Sequence, residues 1–198
     1  YTVQYNSNYP AKSGKENVTT EKETILYTKV FEVKDQTTFK FEVTGYTFTG
    51  WELDGKAYTV GQEVQYLRDA DGANVVFKAQ WKANTYTITF NGNENTEGEM
   101  TSIVATYDEV SGAIINNFKR TGYTFNGWKV GELVIKSIDS TALDTITESG
   151  VYVDKNGTYY AYNLVDGLTA STIEFVAQWK ANAYKVTVDV NDGKTTST

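Results

Sequence analysis

The chain has 198 residues, with 18 Lys and Arg against 25 Asp and Glu, so its formal net charge is −7. It contains no His and no Cys, which excludes Ser-His-Asp and Cys-His catalysis, disulfide bonds, and zinc, haem or iron–sulfur sites with their usual ligands. The acidic balance argues against nucleic-acid binding, which needs clustered Lys and Arg, and no apolar run is long enough to predict membrane insertion of this segment.

The chain opens with alternating aromatic or branched and polar residues at 1–5, which predicts a half-buried β-strand. The same pattern returns at 86–90 and again from residue 184. Because internal self-similarity decides the architecture of a chain, these echoes indicate a repeat protein. A chain that starts directly in a strand is also expected to be a fragment of a longer protein.

Two further blocks recur in the same order. Gly-Tyr-Thr-Phe-x-Gly-Trp occupies 45–51 and 122–128, and its second Gly permits a bulge or a tight bend in the predicted strand. Ala-Gln-Trp-Lys-Ala-Asn follows at 79–84 and at 177–182, each time closing an alternating strand pattern. The sequence therefore predicts repeat 1 at 1–84, repeat 2 at 85–182, and the opening strand of a truncated third repeat at 183–198.

The spacing of the tryptophans locates an insertion. Trp51 and Trp81 are 30 residues apart, whereas Trp128 and Trp179 are 51 residues apart. Repeat 2 therefore carries about 21 extra residues, which we place within 131–170 because insertions fall preferentially in loops. Since the four tryptophans recur at equivalent positions in strand patterns, we interpret them as core residues rather than ligand contacts.

The segment before each Gly-Tyr block is less regular. In repeat 2 the apolar residues have helical spacing, at Val110, Ile114, Ile115 and Phe118. This spacing predicts a helix with Asp108 or Ser111 as its N-cap. In repeat 1 the apolar residues of 39–43 alternate, so a strand competes with a helix there.

The linker between the repeats is short. Only residues 82–85 separate Trp81 from Tyr86, and they include neither Gly nor Pro. Each repeat is large enough to bury a core of its own, so we expect independent beads rather than a solenoid. So short a connection restricts the angle between beads and predicts a semi-rigid rod.

The order of these blocks resembles the Listeria–Bacteroides repeat, the internalin B-repeat family of bacterial surface proteins. The resemblance covers both repeats and the opening of the third. It implies a β-rich α+β fold made of two tandem β-grasp (ubiquitin-like) repeats, in which the first and last strands lie side by side and parallel. It also implies an extracellular, cell-surface or cell-wall-associated protein that serves as a spacer or stalk, or in adhesion. We expect it to have no catalytic activity and no cofactor.

A Tyr-rich segment of the insertion supports an alternative function. Residues 151–162 predict a hairpin with Asn156-Gly157 as a two-residue turn. It carries four tyrosines, Tyr152, Tyr159, Tyr160 and Tyr162. Because Tyr offers large contact area at low entropic cost, they are candidate ligand-binding residues of a module for a host glycan, a matrix protein or the cell wall. Such a module could also accompany a polysaccharide-degrading enzyme, and a hairpin that packs on its own repeat remains the competing interpretation.

Acidic residues suggest little further chemistry. Asp69, Asp71, Asp139, Asp144 and Asp154 invite a calcium interpretation, but the spacing of an EF-hand loop is absent, so turn formation explains them better. Nothing places two carboxylates in one cleft for glycoside hydrolysis, and no motif demands an intramolecular isopeptide bond. We therefore expect no metal site and no enzyme.

The C-terminal piece predicts a strand without partners. The segment 184–190 has the strand pattern, and an unpaired strand is prone to association. We expect a mainly monomeric chain, in which this strand either extends from repeat 2 with little support or pairs with a neighbouring sheet edge, in its own molecule or in another.

Overall fold

The computed structural model describes residues 1–165, 171–189 and 196–197. Within these residues the chain is strand-rich, and its only helices are short 3₁₀ turns at Ala11–Ser13, Gln36–Phe39 and Leu143–Thr145. The β-rich fold class with mixed sheets expected from the sequence is confirmed. The β-grasp assignment remains a prediction.

The strands are numbered in chain order. Those of repeat 1 are β1 (Thr2–Asn6), β2 (Glu23–Thr24), β3 (Phe31–Glu32), β4 (Tyr46–Leu53), β5 (Lys56–Tyr58), β6 (Glu63–Val64) and β7 (Asn74–Ala83). Those of repeat 2 are β8 (Thr85–Asn91), β9 (Ile103–Thr106), β10 (Tyr123–Lys129), β11 (Ile135–Ser137), β12 (Gly150–Val153), β13 (Tyr159–Tyr162) and β14 (Thr172–Ala181). The terminal piece contains β15 (Val188–Asp189) and β16 (Thr196–Ser197).

Each repeat has one main mixed sheet in which its first and last strands are parallel neighbours. In repeat 1 the order is β2-β1-β7-β4-β5, with Val3 opposite Val75. In repeat 2 the order is β10-β14-β8-β9, with Ile88 opposite Ile173. The parallel pairing of first and last strands, expected from the family resemblance, is confirmed in both repeats.

The tryptophans lie in the two cores, as predicted. Trp51 and Trp128 are buried, and Trp81 and Trp179 pack against the same two clusters while remaining half-buried. The predicted bulge is also present, since the pairing of β4 with β7 shifts register at Gly50, whose φ is +136°. Glycine tolerates this backbone conformation, which side chains with a Cβ rarely adopt.

The predicted helix of repeat 2 is wrong. The N–H and C=O groups of Ile114 exchange hydrogen bonds with Tyr159 in β13. Ser111 likewise donates its N–H to Ala161, and its Oγ accepts from the N–H of Ala161. The backbone groups that a helix would use are thus bonded across the chain, and tertiary pairing overrides the weak local preference of so short a segment.

Neither alternative for repeat 1 describes its structure. Phe39 ends a 3₁₀ turn whose N-cap is Asp35, and the carboxylate of Asp35 accepts a 2.8 Å hydrogen bond from the N–H of Thr37. Residues 41–43 then lie outside any helix or strand. Phe41 is buried and Phe39 half-buried, but no regular strand or α-helix positions them, so the alternation in the sequence does not reveal this structure.

The segment predicted as an insertion contains its own sheet, in the order β11-β12-β13. The antiparallel hairpin of β12 and β13 is confirmed, but its predicted turn is wrong. Asp154 accepts the N–H of Gly157 through its carbonyl, so Lys155 and Asn156 are the central residues of the turn. The Asp154 carboxylate also accepts from the N–H of Asn156 and of Thr158, at 2.8 and 2.9 Å, which fixes this longer loop.

The C-terminal strand begins later than predicted, at Val188, and the prediction that it has no partner is wrong. β15 pairs antiparallel with β16 in a small ladder, and within the described residues it does not extend either main sheet. Tyr184 and Val186 are exposed, and Val190 lies outside the described residues. Association through this strand remains a prediction.

Candidate functional site at the junction between the repeats

A single residue connects the two main sheets. Asn84 lies between β7 and β8, and its N–H donates to the Gly45 carbonyl at 2.8 Å. Its carbonyl accepts the N–H of Tyr107 at 2.8 Å, and its side-chain oxygen accepts the Thr47 hydroxyl at 2.6 Å. The linker is therefore bonded to both repeats, which leaves little freedom for a hinge.

An aromatic ring of repeat 2 fills a space that a glycine of repeat 1 leaves open. A Cβ added to Gly45 would lie 2.0 Å from the ring of Tyr107, and Gly45 has a φ of +82°. The neighbouring Tyr46 ring meets Tyr107 edge-on, with 6.1 Å between ring centroids. The Gly-Tyr block therefore serves as a contact surface as well as the start of a strand.

Asp108 is the centre of the junction. It is buried, has a φ of +60°, and its carboxylate accepts hydrogen bonds from the hydroxyls of Tyr46 and Tyr162 at 2.8 and 3.2 Å. The amide nitrogen of Asn163 donates to the same carboxylate at 2.8 Å, and Lys12 donates to the Asp108 carbonyl at 2.5 Å. A buried carboxylate needs such donors to offset its lost hydration. This cluster joins repeat 1, the first hairpin of repeat 2 and the insertion.

The tyrosines of this cluster are held in their neutral form. Burial, followed by the hydrogen bond to Asp108, raises the pKa of Tyr46 far above its ordinary value. Burial and the nearby Asp108 charge raise the pKa of Tyr162 to about 12. Both hydroxyls therefore remain protonated hydrogen-bond donors at neutral pH. The geometry is that of structural hydrogen bonds rather than of an acid–base pair.

A cleft of about 380 Å³ opens beside the cluster. Repeat 1 contributes Lys12, Lys15 and Val43 to its walls, and repeat 2 contributes Asp144 and Tyr162. Because both repeats line it, the shape of the cleft depends on the angle between them.

The acidic residues considered for calcium have other roles or stand apart. The Asp139 carboxylate accepts the N–H of Thr141 at 3.0 Å, and Asp154 fixes the hairpin loop described above. Asp69, Asp71 and Asp144 are exposed. In the part of the chain that the structure describes, no three acidic side chains are grouped so that they could hold a metal ion.

The four tyrosines predicted as a ligand surface do not form one. Tyr152, Tyr159 and Tyr162 are only 7%, 9% and 6% exposed, and Tyr160 is half-buried. Tyr159 belongs to the core of repeat 2, and the Tyr152 hydroxyl donates to the carbonyl of Glu148 at 2.6 Å. The hairpin packs on its own repeat, which was the competing interpretation, and only Tyr162 reaches the junction.

Comparisons with known proteins give few relatives. No family model and no solved structure matches the chain. Two proteins of the bacterium Evansella cellulosilytica are similar to it: one named "Putative membrane protein", 34% identical over 89 residues, and one named "Putative Gly-rich membrane protein", 28% identical over 181 residues. These matches cover 44% and 88% of this chain but only 13% and 17% of those proteins. Among the described residues, the helices are too short to cross a bilayer.

Proposed function

We propose that the chain is a non-catalytic, tandem-repeat stalk segment of a bacterial cell-surface or secreted protein, which holds another part of that protein away from the envelope. The observation that carries the proposal is the parallel pairing of the first and last strands of each repeat, joined across a one-residue linker. The names of the two relatives support an envelope location, and the resemblance to internalin B-repeats supports the spacer role.

The strand pairing gives each repeat a geometry suited to tension. Residues 2–6 of β1 pair with residues 74–78 of β7, and the chain enters and leaves this ladder at opposite ends. A pull along the chain therefore loads all five residue pairs together in shear, instead of opening them one after another. The pairing of 87–91 with 172–176 repeats this geometry in repeat 2.

The hydrogen bonds of the junction hold the two repeats together as one rigid unit. Asn84 bonds to both sheets, and the Asp108 carboxylate accepts from both repeats. A stalk made of such units would keep a fixed direction as well as bear force, because few backbone dihedrals of the linker are free to change the angle between repeats.

The proposal is tested by pulling on the same β1–β7 ladder along two axes of different geometry. Because the chain has no Cys, engineered cysteines define the attachment points. Thr2→Cys with Lys78→Cys pulls the β1–β7 ladder in shear, whereas Thr2→Cys with Asn74→Cys pulls the same ladder apart from one end. We expect single-molecule unfolding forces several times higher along the shear axis.

The same cysteine at position 2 makes the two measurements a matched pair. Attachment at residues 1 and 183, with both repeats in series, should give high unfolding forces like those of the shear axis. Equal forces along the two axes, or unfolding of the whole chain at the low force of the unzipping axis, would overturn the stalk proposal.

A further inference from the structure

Repeat 1 contains the counterpart of the aromatic residue that fills the junction. Equivalent pairs of residues from neighbouring strand segments lie at the start of the two main sheets: Tyr1 with Ile25, and Tyr86 with Ala105. Two residues beyond these pairs stand Tyr27 and Tyr107. Strand register therefore places Tyr27 where repeat 2 has the ring that packs on Gly45.

Both tyrosines sit in four-residue turns closed by a backbone hydrogen bond, but Asp108 has a φ of +60° whereas Thr28 is not in the left-handed region, and the two rings differ in exposure. A hydrogen bond from the Lys29 N–H to the Leu26 carbonyl closes the turn around Tyr27, and residues 106–109 close the turn of Tyr107 in the same way. Tyr27 is 48% exposed and its ring lies 4.9 Å from that of Tyr66, which is 53% exposed. The end of repeat 1 that contains Tyr27 thus shows an exposed aromatic patch, a feature that marks interaction surfaces.

The other half of the junction recurs at the end of repeat 2 that contains Gly122 and Asn182. The Asn182 N–H donates to the Gly122 carbonyl at 2.9 Å, and the Thr124 hydroxyl donates to the Asn182 side chain at 2.7 Å. These bonds copy those between Asn84 and repeat 1. Gly122 has a φ of +80°, close to that of Gly45, but a Cβ added there would meet nothing within 4 Å.

We propose that these two ends are complementary halves of one interface, and that the exposed Tyr27 turn docks on the Gly122 end of a second copy of this repeat pair. Contacts of this head-to-tail kind propagate, because each added unit leaves the same two ends free. The ring of Tyr27 would fill the open space at Gly122 as Tyr107 fills the space at Gly45. Thr28 stands where repeat 2 has Asp108, so the aromatic ring, rather than a carboxylate, carries this contact.

The proposal builds on the stalk function but concerns a different property, the angle between successive units rather than resistance to force. A fusion of two copies can reproduce the number of residues that joins the repeats at the native junction. Asn84, Thr85 and Tyr86 join the repeats at the junction, and a direct fusion of two copies of 1–183 places Asn182, Ala183 and Tyr1 in the same order. The omitted residues add no strand to either main sheet in the described part of the chain.

The experiment compares the new junction of this fusion with the native one by distance measurements between spin labels. Asn74→Cys and Val104→Cys report on the native junction. Their exposed equivalents, Thr172→Cys in the first copy and Thr24→Cys in the second, report on the new one. We expect the two label pairs to give narrow distance distributions centred on the same value.

Tyr27→Ser in the second copy is the deciding variant. It should broaden the distribution across the new junction severalfold while the native junction remains narrow. The native pair thereby controls for folding, together with an unchanged circular dichroism spectrum of the single chain carrying Tyr27→Ser. A broad distribution in the unmodified fusion, or a narrow one that survives Tyr27→Ser, would overturn the proposal.

Discussion

The hydroxyl of Tyr46 in repeat 1 donates a 2.8 Å hydrogen bond to the buried carboxylate of Asp108 in repeat 2. Through this bond the strand that follows the Gly-Tyr turn of one repeat is fastened to the turn that follows β9 in the next. The second oxygen of the carboxylate accepts from Tyr162 and Asn163, so the same residue also anchors the insertion. Loss of the carboxylate should therefore weaken three elements at once.

Replacing Asp108 with Asn tests this role. Asn has nearly the same shape and tolerates the φ of +60°, but its amide nitrogen cannot accept from the surrounding donors. We expect a loss of about 1–3 kcal/mol in the free energy of unfolding, since a buried donor then lacks its acceptor. Urea denaturation followed by tryptophan fluorescence measures the loss.

Asp144→Asn is the matched control, because Asp144 lines the same cleft but is exposed. It should change stability by no more than about 0.5 kcal/mol. Equal effects of the two substitutions would show that charge in the cleft, rather than the hydrogen bonds of Asp108, stabilises the junction.

Gly45 and Gly122 offer a second matched pair. Ala at either position incurs similar backbone strain, of about 1–2 kcal/mol, because the two φ angles are +82° and +80°. Gly45→Ala must in addition displace the Tyr107 ring, for about 1–3 kcal/mol more by the usual cost of overpacking. Thermal denaturation of the two variants should therefore show a lower Tm for Gly45→Ala.

The excess cost of Gly45→Ala should disappear when Tyr107 is also changed to Ala. The double-mutant cycle isolates the contact between the two residues from the strain of the backbone. An excess that persists without the Tyr107 ring would contradict the packing described for the junction.

Alkaline pH should weaken the junction. The pKa of Tyr162 is raised to about 12 in the folded chain from an ordinary value of 10.0, so the unfolded chain loses this proton first. The stability linked to Tyr162 is thus complete below about pH 10 and is lost as pH rises towards about 12. Unfolding free energies measured across this range should fall less steeply for Tyr162→Phe than for the unaltered chain, and parallel slopes would contradict the prediction.

The sequence predicted the parts of the fold that rest on local periodicity. Alternation located the long strands, and the recurrence of Trp51 and Trp128 in frame with it identified them as core residues. The helical spacing of apolar residues gave the wrong prediction around Ile114, because the backbone partner of Ile114 is Tyr159, which lies in an insertion much later in the chain. A helical pattern of apolar residues cannot reveal that another segment will bind its N–H and C=O groups.

The junction could not be predicted from the sequence either, because its contacts join residues that lie far apart in the chain. Asp108 appeared only as a helix cap, whereas its partners are contributed by positions 12, 46, 162 and 163. The tyrosines of the insertion appeared as a surface because they lie outside the repeat frame. Their burial depends on how the hairpin packs against β10 and residues 111–114, which no residue pattern specifies.

The two buried tryptophans differ in the hydrogen bonding of their indole N–H groups. The indole N–H of Trp51 donates to the Lys34 carbonyl at 2.8 Å, whereas that of Trp128 has no acceptor among the described residues. Phe at either position removes similar apolar area, but only Trp51→Phe also breaks a hydrogen bond. Trp51→Phe should therefore cost about 1 kcal/mol more than Trp128→Phe in urea denaturation. Because the two residues occupy equivalent positions in β4 and β10, each variant controls for the other, and equal losses would show that the indole hydrogen bond contributes nothing to the stability of repeat 1.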